Sequence, residues 1–118
     1  MDIVSFRDYC LSKKGVTEET PFGPDTLVFK VLGKMYALCG MTDEEFRCNL
    51  KCDPEYALEL RDQYPEIIPG WHMNKKHWNT VFCEKELDDR MIADLVDHSY
   101  DLVVASLSKA QKEILNRL

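Results

Sequence analysis

A chain of 118 residues, 45% hydrophobic and 31% charged, is long enough to bury one core and short for two. Its net charge of −6 argues against indiscriminate nucleic-acid binding, because phosphate neutralisation supplies most of that affinity. No apolar run nears the roughly 18–20 residues that cross a bilayer, and Met1-Asp2-Ile3-Val4 lacks a basic region followed by an apolar core. One domain over residues 1–118 is therefore expected, cytoplasmic, monomeric and without membrane contact.

In chain order, Ile3, Phe6 and Cys10 recur at helical spacing, with Asp2 as a cap and Gly15 past the end. Thr17 to Asp25 carries Pro21, Gly23 and Pro24 and reads as a connecting loop. Leu27 to Val31 reads as a strand with Leu27, Phe29 and Val31 on one face and Lys30 on the other. Leu32-Gly33-Lys34 is a tight turn, and Met35 to Met41 returns with Met35, Ala37, Cys39 and Met41 alternating. After an acidic turn at Thr42-Asp43-Glu44-Glu45, Phe46 to Cys52 alternates most regularly, with Arg47, Asn49 and Lys51 opposite Phe46, Cys48, Leu50 and Cys52. Three strands with short connections predict an antiparallel meander having one buried and one solvated face.

Asp53-Pro54-Glu55 opens a helix whose apolar face is Tyr56, Ala57, Leu60 and Tyr64, ended by Pro65. Glu66 to Asn74 reads as irregular and His77 to Cys83 as a strand. Asp88 caps a long helix striped by Met91, Ile92, Leu95, Val96, Leu102, Val103 and Leu107, with Leu87 as a hydrophobic staple and Ser99 and Ser106 permitting close approach. Ser108-Lys109-Ala110-Gln111 is a capping box for a last helix. The expected fold class is α+β, an antiparallel sheet with helices packed on one face.

The side chains that invite chemistry have ordinary explanations. Cys48 and Cys52 share a register with Phe46 and Leu50, where a thiol behaves as a small apolar group, and no second pair completes a zinc spacing. Cys39 falls in an apolar register too; Cys83, near a strand end, is less constrained. His72 and His77 match no common metal spacing, and with Cys83 they define the enzyme or metal alternative. Asp43, Glu44 and Glu45 read as a solvated turn. No catalytic residue, metal or cofactor is expected.

One segment stands apart. Trp71 to Thr80 holds two tryptophans, two histidines, two lysines and two asparagines and no acidic residue. Rings interleaved with cations and amides are what base stacking and phosphate contact require. The competing reading is architectural: Trp71 and Trp78 anchor a loop on the sheet and Lys75 and Lys76 solvate it. Lys30, Arg47 and Lys51, on polar strand faces, extend the patch if pairing brings them together.

Pro21-Phe22-Gly23-Pro24-Asp25-Thr26-Leu27-Val28-Phe29-Lys30-Val31, then Gly33 to Leu38, resembles the N-terminal half of the MmcQ/YjbR family. His72-Met73-Asn74-Lys75-Lys76-His77-Trp78-Asn79-Thr80-Val81 resembles that family's signature, and Leu95 to Val104 its C-terminal helix. The resemblance implies a frataxin-like (CyaY-like) α+β fold, a double-wing arrangement of hairpins, and DNA binding without catalytic residues. The nucleic-acid contacts expected on this basis are Lys30, Arg47, Lys51, Trp71, His72, Asn74, Lys75, Lys76, His77, Trp78 and Asn79. Lysines would meet phosphate, and Asn74, Asn79 and an exposed tryptophan would meet bases or sugar. The alternative is a protein-interaction or small-ligand module using the same segment.

Overall fold

The computed structural model describes residues 1–118 except Asp43, so the part of the acidic-turn expectation that falls on Asp43 lies outside the described residues. Among the described residues, ten elements follow in order: α1 (Ile3–Leu11), β1 (Val16–Glu19), β2 (Thr26–Val31), β3 (Lys34–Gly40), β4 (Arg47–Lys51), α2 (Pro54–Gln63), β5 (Ile67–Pro69), β6 (Trp78–Phe82), α3 (Asp89–Ala105) and α4 (Lys109–Asn116). The strands form one antiparallel sheet in the order β1-β2-β3-β4-β6-β5. All four helices contribute to a core on one face, where Phe6, Cys10, Ala57, Leu60, Ile92, Val96 and Leu115 meet Phe29, Ala37, Leu50 and Val81. The α+β expectation is met. Among the described residues, no helix is long and apolar enough to cross a membrane.

The helices start where their caps predict. Asp2, Asp53, Asp88 and Ser108 accept backbone N–H bonds from Ser5, Tyr56, Met91 and Gln111, and the Ser108–Gln111 box closes in both directions. Leu32 and Gly33 both take positive φ, 46° and 84°, as a two-residue hairpin between right-twisted strands demands.

Three expectations need correction. First, Val16–Glu19 and Ile67–Pro69 are strands, not loop and irregular chain. Both are sheet edges: each pairs on one side only, so neither needs a long apolar run, and Glu18, Glu19 and Pro69 are what edges carry to resist further pairing. Arg7 of α1 secures β1 by two bonds of 2.7 Å to Glu18.

Second, Met35 does not share a face with Ala37 and Cys39. The pairing jumps from Phe29↔Ala37 to Lys30↔Met35, leaving Tyr36 as the extra residue of a bulge. Tyr36 turns into the helix-side core, its hydroxyl donating to the Cys10 carbonyl at 2.8 Å, while Met35 packs on the opposite face. Ser99 of α3 sits where β3 and β4 separate: its hydroxyl accepts from Lys51 N–H at 2.9 Å and donates to the Tyr36 carbonyl at 2.5 Å. Its small side chain thus permits close approach and also satisfies the groups the bulge leaves open.

Third, the face away from the helices is not simply solvated. Val28, Leu38 and Trp78 are buried there, with Met35 and Met73 packed on them. Met73 belongs to the stretch between β5 and β6, which folds back across the sheet. That stretch carries most of the candidate site.

Candidate functional site

The segment from Gly70 to His77 is held by hydrogen bonds at both ends. Gly70 N–H reaches the Trp78 carbonyl at 2.8 Å, and the Asn74 carbonyl accepts from His77 and Trp78 N–H at 3.2 and 3.0 Å. The Asn74 side chain accepts from Lys76 N–H at 2.9 Å, a local turn of the kind asparagine favours. Lys75 Nζ reaches back to the Gly70 carbonyl at 3.2 Å. From α2, Arg61 donates to Asn79 Oδ1 at 2.7 Å, to the Trp78 carbonyl at 3.1 Å and to the Lys75 carbonyl.

Trp71 is pinned from below. Its N–H donates to Thr80 Oγ1 at 2.9 Å, the Thr80 hydroxyl donates to Asn49 Oδ1, and Asn49 Nδ2 reaches the Trp71 carbonyl at 3.4 Å. A cross-strand pair, Asn49↔Thr80 on β4 and β6, thus fixes the backbone of Trp71 while the residue stays 47% exposed. The Arg47 guanidinium lies over that indole, 4.3 Å from the ring centroid. His72 follows with φ of +61°, uncommon for a residue with a side chain, and its ring lies 5.7 Å from the indole centroid at 25° to it. Beside these groups is a cleft of about 260 Å³ lined by Leu38, Cys39, Gly40, Arg47, Asn49, Trp71, His72 and Thr80.

The eleven residues expected from sequence therefore divide. Arg47, Trp71 and His72 line the cleft. Lys76 is exposed, Lys51 is half-buried in the strand register of Arg47 and Asn49, and exposed Asn74 has its side-chain oxygen committed to the turn. Lys75 is tied to Gly70, and Lys30 pairs with Glu19 at 3.3 Å. His77 is half-buried where β6 begins, its carbonyl accepting from Cys52 N–H at 2.7 Å. Trp78 and Asn79, 8% and 2% exposed, are corrected from contact residues to architectural ones: Trp78 fills the second core and Asn79 is the anchor for Arg61.

Two contributors were not singled out. Asn49 lies in the polar register between Arg47 and Lys51, so strand alternation could have found it. Arg61 shows no signal in the sequence, since any half-exposed arginine on a helix looks the same before α2 is packed. The Cys83 thiol, considered beside His72 and His77, lies in the helix-side core 3.4 Å from Cys48 Sγ, away from the cleft. None of the five cysteines is in a disulfide and all are buried; burial pushes the Cys10 and Cys52 thiols up to about 12 and about 11. Among the described residues, no group of three or more His, Cys, Asp or Glu is placed to hold a metal ion.

These features define a small α+β module with one helix-covered sheet face and one open face bearing an aromatic–cation cleft. A family model described as YjbR matches residues 11–102, and the chain belongs to that family. It is 41% identical to the uncharacterized protein YbdF of Escherichia coli over 93 residues, covering 79% of this chain and 76% of that one. With the uncharacterized protein YjbR of Escherichia coli it shares 31% identity over 118 residues, the whole of both chains. The crystal structure of Deinococcus radiodurans protein DR2400, a DUF419 domain, superposes with a TM-score of 0.89 at 39% identity, over 97% of this chain and 87% of that one.

Proposed function

We propose that the protein is a non-enzymatic binding module that takes nucleic acid on the open face of its sheet, centred on the Arg47–Trp71–His72 cleft. The observation that carries this reading is the half-exposed Trp71, its backbone N–H held by Thr80 and its indole under a guanidinium, the pairing that stacking and phosphate contact both use.

Charge distribution supports it despite the net −6. Strands β2, β3, β4 and β6 with residues 70–77 contain Lys30, Lys34, Arg47, Lys51, Lys75 and Lys76 and no Asp or Glu. Helices α2 and α3 hold Glu55, Glu59, Asp62, Asp89, Asp94, Asp97 and Asp101 against Arg61 and Arg90. Seven acidic residues against two arginines thus lie in two helices on the other side of the sheet, and the basic residues of these strands act locally, since exposed charges beyond about 8–10 Å are largely screened. Lys30 pairs with Glu19 and Lys34 with the Ser106 carbonyl; the phosphate contacts of this reading are Arg47 at the cleft, Lys51 in the same strand register and exposed Lys76.

The test is a titration with labelled DNA at about 50 and about 200 mM salt. Binding is expected at the lower salt, weaker at the higher, and reduced with a shallower salt dependence in Lys51→Glu/Lys76→Glu. No binding at low salt, or equal affinity in that variant, overturns the reading.

A further inference from the structure

We infer that the cleft receives one unpaired nucleobase, so that the protein selects single strands over duplex. This rests on the nucleic-acid reading above and adds which form of nucleic acid is bound and how.

The first argument is preorganisation. An aromatic ring half-exposed on a connecting segment is ordinarily a mobile side chain, yet both main-chain polar groups of Trp71 are held by the Asn49–Thr80 pair beneath it. His72 takes the left-handed φ that sets its ring nearly parallel to the indole, and strained backbone of this kind persists only where its surroundings hold it. The main chain that carries the two stacked rings is fixed, so stacking of a base on them costs little ordering of the backbone.

The second argument is shape. Duplex readers insert a protruding helix or ribbon into a groove. Here the aromatic shelf borders a recess, with Gly40 contributing no side chain to its wall. A base within a duplex is stacked on both faces and reaches such a recess only by leaving the helix, at a cost of a few kcal/mol that a single strand does not incur.

The third is chemistry. An amide nitrogen carries two hydrogens, and Asn49 Nδ2 sends one, at 3.4 Å, to the Trp71 carbonyl. The other is a donor at the cleft wall for a ring carbonyl or ring nitrogen. Arg47 supplies positive charge next to the shelf for the adjoining phosphate.

The experiment titrates the full chain with a single-stranded oligothymidylate and with a duplex of the same length at one low salt concentration, reading anisotropy of the labelled DNA and tryptophan emission. Quenching is assigned to Trp71, because Trp78 is buried and retained in every variant. The single strand is expected to bind at least about tenfold more tightly than duplex. Trp71→Ala should lose roughly 5- to 150-fold in single-strand affinity, the equivalent of about 1–3 kcal/mol of base stacking, and Trp71→Phe should keep most of it. Circular dichroism confirms that each variant is folded, and Trp71→Phe keeps the test decisive if Trp71→Ala is not. Duplex bound as tightly as single strand, or Trp71→Phe falling as far as removal of the ring, overturns the single-base inference while leaving salt-dependent binding intact. Absence of any binding overturns both.

Discussion

Arg61→Ala is the most informative structural perturbation, because one side chain from the helix layer fixes the backbone that presents the site. Its three hydrogen bonds are not equivalent. Asn79 Oδ1 belongs to a residue 2% exposed, and leaving a buried acceptor unpaired costs about 1–3 kcal/mol. The Trp78 carbonyl keeps its 2.8 Å bond from Gly70 N–H, and the Lys75 carbonyl can turn to water, so together they add about 1 kcal/mol more. The expected loss is about 2–4 kcal/mol, a large share of a typical stability of about 5–15 kcal/mol. At about 4 °C per kcal/mol for a chain of this size, Tm falls by about 8–16 °C. Urea unfolding measures the difference directly, and a cycle with Asn79→Ala should show coupling of about 1–2 kcal/mol. Arg61→Lys should recover less than half, since a single ammonium cannot span three acceptors as the planar fork does. A loss below about 1 kcal/mol, or strict additivity in the cycle, would refute the claim that Arg61 holds the segment.

Two further outcomes follow from the same geometry. Gly70→Ala should destabilise by about 1–3 kcal/mol in the same assay, because a Cβ there would lie 2.7 Å from Trp78 Cβ and 2.9 Å from the Trp78 carbonyl, neither of which can swing aside; a neutral result would mean that β5 and β6 are less tightly joined than they stand. Burial alone would raise the Asp97 carboxyl, but its bonds from Lys13 and from the Tyr9 hydroxyl, the latter 2.6 Å, outweigh it and hold the group below the usual carboxylate range. A carboxyl depressed in the folded state adds stability that is present above its unfolded value near 3.9 and lost as pH falls through the folded value. Asp97→Asn should therefore be less stable than the parent at neutral pH, with the gap closing as pH falls through the folded value, and a gap that stays constant into acid would contradict the assignment.

Much of this protein follows from local rules. The helix starts at Asp2, Asp53, Asp88 and Ser108, the hairpin at Leu32-Gly33, the β4 alternation and the thiols as core residues depend on groups within a few positions of one another, and local chemistry reports them faithfully. The family was legible as well, from the segment between His72 and Val81. What that segment does was not, because its residues look alike in composition and differ only in what lies beneath them. Trp71 and Trp78 are seven positions apart with similar neighbours, yet one is an exposed shelf and the other a core residue, since β6 pairing turns Trp78 onto Val28 and Leu38. The bulge at Tyr36, the edge strands β1 and β5, and the grip of Arg61 on Asn79 likewise arise from partners far away in the chain. Caps and turns are decided by neighbours in sequence; the face a side chain ends on, and whether it meets solvent, is decided by which strands pair and where the helices lie.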